Sequence, residues 1–244
     1  MSKTYSNNHY LKKSLGQNFL KTEKYIIPLI SLINKNDLVI EVGAGKGFIT
    51  DKLYSKTQNI ILVEKDQRFE NTLKSKYPKA KIYIQDVLNF EIKDLNKYKM
   101  VGALPYYISK DIISKFLKNE KRVKSISVIL QKEVAKKYTT KGDLLYNTVH
   151  IYAEKILPGE IITKENFYPI PKVDSQIIHI TNIYKYNKED EKIERFIKRG
   201  YRFPRKKLKN NIHEITKFKD LRAENLSFED WIELYNDKLT LDRL

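Results

Sequence analysis

A run of apolar residues leads directly into three glycines at alternate positions near the start of this chain. The sequence DLVIEVGAGKG covers residues 37–47, and its glycines are Gly43, Gly45 and Gly47. This pattern is typical of a buried strand that turns sharply into a helix, where the backbone can approach a nucleotide-like ligand closely. Taken alone, the pattern is also compatible with a plain tight connection between two elements.

Short runs rich in β-branched residues alternate with helical patterns on both sides of this turn, which predicts an α/β fold with a mostly parallel sheet. The predicted strands cover residues 37–42, 59–64, 81–85, 99–104 and 125–130. The predicted helices cover 48–56, 66–76, 109–118 and 131–138, and a further helix near residues 26–33 has Thr22 as its cap.

Two later apolar runs, 149–156 and 175–183, are too close together for a packed crossover helix of ordinary size. We therefore expect them to pair antiparallel. Beyond about Tyr186 the strand patterns stop and the chain becomes charged and helical. This change predicts two domains, residues 1–186 and a small helical domain, residues 187–244.

The composition argues against several classes of protein. Cysteine is absent and there are four scattered histidines, so a disulfide framework, a thiolate metal site and a zinc centre are not expected. No apolar run approaches the ~20 residues that cross a bilayer, and the first ten residues lack the apolar centre of a secretory signal. We expect a cytoplasmic protein with no metal and no membrane partner.

The formal net charge of +17 indicates a polyanionic partner, although a lysine-rich genome would also raise the count. Residues 195–209 carry eight basic residues and no acid, interleaved with Phe196, Tyr201 and Phe203. Such a mixture favours nucleic acid over a merely solvated face. The basic residues expected to contact RNA are Lys12 and Lys13 in the N-terminal arm, and Arg199, Arg202, Arg205, Lys206, Lys207 and Lys209.

Acidic residues at the ends of the predicted strands refine the nature of the ligand. Glu41 gives the spacing E-x-G-x-G-x-G, which is typical of S-adenosylmethionine sites, whereas dinucleotide sites more often have GxGxxG. Glu64 ends the second strand, where it can accept hydrogen bonds from ribose hydroxyls, and Asp86 ends the third, where it can accept from an adenine amino group. Glu64 and Asp86 can instead cap helices. Such a capping role suits the nearby Asp66 better than ligand binding does.

Seven segments in order carry a resemblance to a known family. They are KKSLGQNFL (12–20), EVGAGKG (41–47), LPYYIS (104–109), LQKEVA (130–135), FYPIPKVDS (167–175), FPRKKLKNN (203–211) and RAENLSFEDW (222–231). Together they resemble the ribosomal RNA adenine dimethyltransferases, which include the KsgA/RsmA-type small-subunit enzymes and the related Erm large-subunit enzymes. The last segment resembles the small-subunit branch more closely.

The resemblance implies a Rossmann-like S-adenosylmethionine-dependent methyltransferase sheet and a helical C-terminal domain. It also implies dimethylation of the exocyclic amine of adjacent adenosines in small-subunit (16S) rRNA, with the immature small subunit as partner of a monomeric enzyme. The cofactor residues it implies are Gln17, Asn18, Leu20, Glu41, Gly43, Ala44, Gly45, Gly47, Glu64, Lys65, Asp86, Val87 and Ala103. Its catalytic residues are Ala103, Leu104, Pro105, Tyr106 and Phe167.

In the family pattern an asparagine precedes L-P-Y, and its side-chain oxygen helps to orient the target amine. Tyr106 and Phe167 would stack on an adenine swung out of its RNA, although Tyr106 can instead be simply a buried aromatic residue beside Pro105. This chain has Ala103 at the asparagine position, and a methyl group cannot accept a hydrogen bond. The alternatives are therefore a catalytically disabled assembly factor of the small subunit or, less in keeping with RAENLSFEDW, a large-subunit methyltransferase.

Overall fold

The computed structural model describes residues 17–91, 97–119, 123–213 and 215–241. The strands are β1 Phe19–Leu20, β2 Val39–Val42, β3 Ile60–Glu64, β4 Lys81–Ile84, β5 Tyr98–Ala103, β6 Val123–Gln131, β7 Ala153–Ile162, β8 Phe167–Tyr168 and β9 Ser175–Ile183. The α-helices are α1 Ile26–Leu29, α2 Phe48–Lys56, α3 Glu70–Lys76, α4 Ser109–Leu117, α5 Lys132–Thr139, α6 Leu144–His150, α7 Asp190–Gly200 and α8 Phe228–Leu241.

Seven strands form the main sheet in the order β4-β3-β2-β5-β6-β9-β7. The first five in this order are parallel, and β9 pairs antiparallel with both β6 and β7. Every residue of β2 and β3 is buried, because helices and connecting segments cover both faces of the sheet. The predicted α/β fold with its parallel strands and antiparallel last pair is confirmed.

Two elements differ from the prediction. The strand expected from residue 149 begins only at Ala153, because residues 144–150 form α6. The Asp143 carboxylate caps this helix by accepting from the Leu145 N–H, and this local hydrogen bond outweighs the β propensity of Val149. The helix expected near 26–33 is a 3-10 turn at Glu23–Tyr25 followed by the single turn of α1.

The C-terminal helices pack on the sheet domain through one continuous cluster of buried apolar side chains. Tyr138 and Val149 on α5 and α6 belong to the same cluster as Ile197 on α7 and Trp231 on α8. A buried carboxylate, Glu194 on α7, adds polar contacts to this junction through Tyr152 and Lys118. The division at residue 186 stays a prediction.

Candidate active site

An open pocket, with about 1100 Å³ of empty space when the adjoining solvent at its mouth is included, lies where the carboxyl ends of β2, β3, β4 and β5 meet. This is the edge at which open α/β sheets bind ligands. Fifteen of the predicted cofactor and catalytic residues line it, namely Gln17, Asn18, Leu20, Gly43, Ala44, Gly45, Glu64, Lys65, Asp86, Val87, Ala103, Leu104, Pro105, Tyr106 and Phe167.

The glycine turn forms one wall of this pocket with its backbone. Gly45 has a φ of +53°, and a Cβ placed on it would lie 2.9 Å from Cε1 of Phe19. A side chain at this position would therefore collide with Phe19 as well as strain the backbone. The Gly45 N–H donates to Oε2 of Glu64 at 2.8 Å, which ties the turn to the end of β3.

Glu64 is 7% exposed and faces the pocket from the end of β3. Its Oε1 accepts from the Asp66 N–H at 2.7 Å, in addition to the bond from Gly45 to Oε2. Burial raises the pKa of this carboxyl above its ordinary value, while the backbone N–H groups act in the opposite direction. A carboxylate offers about four acceptor positions, so Glu64 retains capacity for a hydroxyl donor from a ligand.

Asp86 follows β4 and faces the same pocket, with both of its oxygens in hydrogen bonds. Oδ2 accepts from Nζ of Lys65 at 2.8 Å, and Oδ1 accepts from the Leu88 N–H at 2.9 Å. The hydrogen bond from Lys65 is the largest influence and lowers the pKa of Asp86. Asp86 is therefore an ionised acceptor at neutral pH.

The loop after β5 forms the opposite wall. The hydroxyl of Tyr106 lies 2.8 Å from Oγ of Ser175, the first residue of β9, and this contact fixes the ring at the pocket. Leu104 is 3% exposed and anchors the loop, because its N–H donates to the Ile129 carbonyl at 3.2 Å. Phe167 is 1% exposed and closes the inner end of the same wall.

Two predicted cofactor residues, Glu41 and Gly47, do not line the pocket. The carboxyl of Glu41 is fully buried, and its Oε2 accepts from Oγ1 of Thr50 at 2.7 Å. Its Oε1 finds no hydrogen-bond partner among the described residues. Burial raises the pKa of Glu41 to about 8, so the group is largely neutral at pH 7. Glu41 thus supports the glycine turn from the protein interior, through its hydrogen bond with Thr50. Asp66 caps a different turn, the 3-10 turn at Gln67–Phe69, as expected.

Several residues that line the pocket are not among the site residues that the sequence predicts. Phe69 and Tyr107 are examples, together with the strand residue Val63. Tyr107 adjoins Tyr106 in the LPYYIS segment, and its exposed fraction of 59% places it at the mouth. Phe69 carried no recognisable signal, because it lies in a short 3-10 turn whose position depends on the sheet.

The basic cluster at 195–209 is exposed but partly paired. All six predicted RNA-contacting residues within it are exposed, whereas Lys12 and Lys13 lie outside the described residues. Lys207 and Lys209 both contact Oδ1 of Asp220, at 3.2 and 2.8 Å. Of the three interleaved aromatic residues only Phe203 is exposed, because Phe196 and Tyr201 pack against the buried Trp231.

The parts of the chain that the structure describes contain neither a metal-binding cluster nor a membrane-spanning helix. Over these ranges no group of three or more His, Cys, Asp or Glu side chains could hold a metal ion. Within the same ranges, no helix combines the length and the apolar character that crossing a membrane requires.

The strand order, the glycine turn and the acids at the strand ends define the class of Rossmann-like S-adenosylmethionine-dependent methyltransferases. The family model described as "Ribosomal RNA adenine dimethylase" matches residues 8–236. The chain belongs to this family of ribosomal RNA adenine dimethylases.

Individual relatives agree with this assignment. The chain is 36% identical to a protein of Francisella tularensis subsp. novicida named "Ribosomal RNA small subunit methyltransferase A", over 92% of this chain and 96% of the relative. Its fold is similar to that of a dimethyladenosine transferase from Plasmodium falciparum, with a TM-score of 0.75, 20% identity, and coverage of 91% of this chain and 98% of the other. The fold of the 23S rRNA methyltransferase ErmE is equally similar, with a TM-score of 0.75, 20% identity, and coverage of 90% and 98%.

Proposed function

We propose that this protein transfers methyl groups from S-adenosylmethionine to the exocyclic amines of two adjacent adenosines in small-subunit rRNA during ribosome biogenesis. The observation that carries the proposal is the single pocket in which the glycine turn, Glu64 and Asp86 face the loop containing Tyr106. The small-subunit target rests on the sequence relatives named for it, since the likeness to the large-subunit enzyme at 20% identity concerns the fold alone.

The residues of the pocket fit the cofactor. Glu64 has acceptor capacity for the ribose hydroxyls, and the ionised Asp86 can accept from the adenine amino group. Gly43, Ala44 and Gly45 would lie along the methionine part, where only backbone and a methyl group border the pocket. S-adenosylmethionine supplies a methyl group on a positively charged sulfur, which makes that carbon electrophilic.

The target amine is a poor nucleophile, because its lone pair is delocalised into the adenine ring. Tyr106 and Phe167 would hold the everted base between aromatic walls, and the Leu104 carbonyl would accept from the amine and direct its lone pair. This is catalysis by positioning and by preorganised dipoles rather than by a strong base. The fixed Tyr106 hydroxyl supports such a role, since it immobilises the ring before RNA arrives.

Ala103 removes one of the two acceptors that the family uses. Loss of one preorganised polar contact typically lowers the rate by about 10²–10³, or roughly 3–4 kcal/mol of transition-state stabilisation. The backbone carbonyls around residue 104 would then be the remaining acceptors that orient the target amine. We therefore propose a slow enzyme whose pocket is otherwise complete.

The exposed basic residues of the 195–209 cluster would contact phosphates and position the RNA without reading its sequence. The immature small subunit as substrate, the monomeric state and the cytoplasmic location are parts of the same proposal. The net charge of +17 and the relatives named for the small subunit support the RNA substrate among these parts. Binding to RNA should weaken steeply as salt rises.

The test is transfer of radioactive methyl groups to undermethylated small ribosomal subunits, with Ala103→Asn as the paired variant and Glu64→Ala as the variant that cannot hold ribose. We expect measurable transfer by the natural protein, a gain of about 10²-fold or more for Ala103→Asn, and loss for Glu64→Ala. Purified large subunits in the same assay should remain unmethylated. Absence of transfer by both the natural protein and Ala103→Asn would refute the proposal.

A second function, a catalytically disabled assembly factor of the small subunit, is favoured by one observation, the alanine at position 103. It predicts tight binding to immature small subunits, no transfer by the natural chain, and transfer by Ala103→Asn alone. Measured transfer by the natural chain excludes it.

A further inference from the structure

The backbone carbonyls of the loop after β5 differ in whether they have hydrogen-bond partners. The carbonyl of Pro105 accepts from the Ile108 N–H at 3.2 Å, and the carbonyl of Tyr106 accepts from Oγ of Ser109 at 3.3 Å. By contrast, no residue that the structure describes donates to the carbonyl of Leu104, which lines the pocket. The loop therefore leaves a backbone acceptor available on the wall proposed for the target base.

The side chain at position 103, on the same wall, has the opposite chemistry. Ala103 lines the pocket and packs against the apolar cluster that contains Phe167 and Ile129. Its methyl group can neither donate nor accept a hydrogen bond. The Tyr106 hydroxyl, also on this wall, already contacts Oγ of Ser175 at 2.8 Å. A ligand group that faces residue 103 therefore meets apolar surface rather than an acceptor.

These two features distinguish between the states of the target amine. Unmethylated adenine has two N–H donors on this nitrogen, whereas N6-methyladenine has one N–H donor and one methyl group. With the first N–H on the Leu104 carbonyl, the second N–H of the unmethylated base would face Ala103 without a partner. A buried donor that loses its partner is the costly case, while two apolar groups in contact carry no such penalty. The methyl group of N6-methyladenine would pack on the Ala103 methyl group instead.

We propose that this protein acts preferentially on RNA whose target adenosines already carry one N6-methyl group, and that Ala103 determines this preference. The inference rests on the proposed function, because it concerns which state of the same amine reacts. In the favoured step a nitrogen–carbon bond forms as the carbon–sulfur bond of S-adenosylmethionine breaks. S-adenosylhomocysteine leaves, the remaining amine proton passes to water, and a dimethylated adenine is the product. An N6-monomethyl transfer to the same adenines must therefore precede the fast step.

The test compares two synthetic RNA hairpins that have two adjacent adenosines in the loop, either both unmodified or both N6-methylated. Single-turnover transfer from radioactive S-adenosylmethionine gives the rate of adding one methyl group to each hairpin. We expect the natural protein to react about 10–100-fold faster with the N6-methylated hairpin. Ala103→Asn and the smaller Ala103→Ser each supply an acceptor for the second N–H. Both variants should bring this ratio to about one or reverse it.

A second readout does not depend on the reaction. Fluorescence anisotropy in the presence of S-adenosylhomocysteine, which cannot donate a methyl group, gives the affinity of each protein for the same two hairpins. The natural protein should bind the N6-methylated hairpin several-fold more tightly, and Ala103→Asn should lose or reverse this difference.

Lys65→Met is the matched control, because it removes the ammonium that donates to Asp86 at the cofactor end of the pocket. It should keep both ratios of the natural protein. The proposal is overturned if the natural protein shows no preference for the N6-methylated hairpin, if Ala103→Asn keeps the preference, or if Lys65→Met loses it equally. Failure of the proposed function would look different, since neither the natural protein nor Ala103→Asn would then methylate either hairpin or undermethylated small subunits.

Discussion

The buried carboxyl of Glu41 should make the stability of this protein fall as pH rises toward 8, and Glu41→Gln should remove that dependence. The pKa of the group is about 8 in the folded protein and has an ordinary value of 4.5. Between these two values the folded protein binds one proton more than the unfolded chain does. The free energy of unfolding therefore decreases with increasing pH over this window.

The size of the effect follows from the pKa difference. Each unit corresponds to about 1.36 kcal/mol, so the full shift amounts to roughly 5 kcal/mol, and the interval from about pH 5.5 to 7.5 to about 2–3 kcal/mol. Glutamine matches the neutral acid in shape, and its amide oxygen can accept the bond that Thr50 now donates to Oε2. At about pH 4 the two proteins should differ little, whereas the variant should be more stable by about 1.4 kcal/mol at pH 5.5 and by about 4 kcal/mol at pH 7.5.

The assay is urea unfolding of both proteins at a series of pH values, followed by circular dichroism and by the fluorescence of the single tryptophan, Trp231. The quantity of interest is the difference in unfolding free energy between variant and natural protein, because other titrating groups cancel in it. A difference that stays constant across this range would refute a neutral Glu41. A variant that is less stable at every pH would show that the carboxylate itself is required.

Three further predictions concern other parts of the molecule. Asp220→Asn should raise RNA affinity several-fold at low salt and steepen the salt dependence, as measured by fluorescence anisotropy, because Lys207 and Lys209 would no longer be paired with a carboxylate. Glu194→Ala should lower the free energy of urea unfolding by about 1–3 kcal/mol, because the Tyr152 hydroxyl loses its buried acceptor and the partly exposed Lys118 and Lys198 lose their counter-charge. Gly47→Ala should lower the same free energy by at least about 1–3 kcal/mol, since φ is +85° and the added methyl group would meet the Tyr77 hydroxyl.

The contacts of Glu194 explain why its replacement should be costly. Its carboxylate accepts from the Tyr152 hydroxyl at 2.6 Å and lies 2.7 Å from Nζ of Lys118 and 2.6 Å from Nζ of Lys198. Burial alone would raise the pKa of Glu194, but these three partners outweigh it and lower the pKa. Since the acid is held ionised, the alanine variant leaves two ammonium groups without their shared counter-charge at the base of α7.

The sequence predicts the sheet well because the patterns that encode it are local. Strands such as β3 are continuous apolar runs ending in an acid, and that alone places Glu64 at the pocket edge. The strand expected at 149 shows the limit of such patterns. Val149 and Ile151 favour a strand by propensity, whereas the hydrogen bond from the Leu145 N–H to Asp143 begins a helix that propensity does not reveal.

The pocket could be predicted only as a set of residues, since the contacts that shape it join distant segments. Strand β1 pairs with β8 across nearly 150 residues of sequence, and no periodicity encodes a ladder of two residues. Glu41 shows the same limit in another form. Its place in E-x-G-x-G-x-G indicates contact with a ligand, but the fold turns the side chain into the interior against Thr50. A motif gives the residue type at a position and not the direction of its side chain.

The side chain at position 103 matters for the proposed methyl transfer but not for the assembly of the fold. The residue ends β5, whose backbone pairing with β6 is regular from Lys99 to position 103. The loop beyond it is held by Leu104 and by the contact between Tyr106 and Ser175 rather than by the side chain of residue 103. An alanine here therefore leaves the pocket assembled while it removes an acceptor for the target amine. Methyl transfer should accordingly be far more sensitive to residue 103 than either stability or cofactor affinity, and the Ala103→Asn comparison measures that difference.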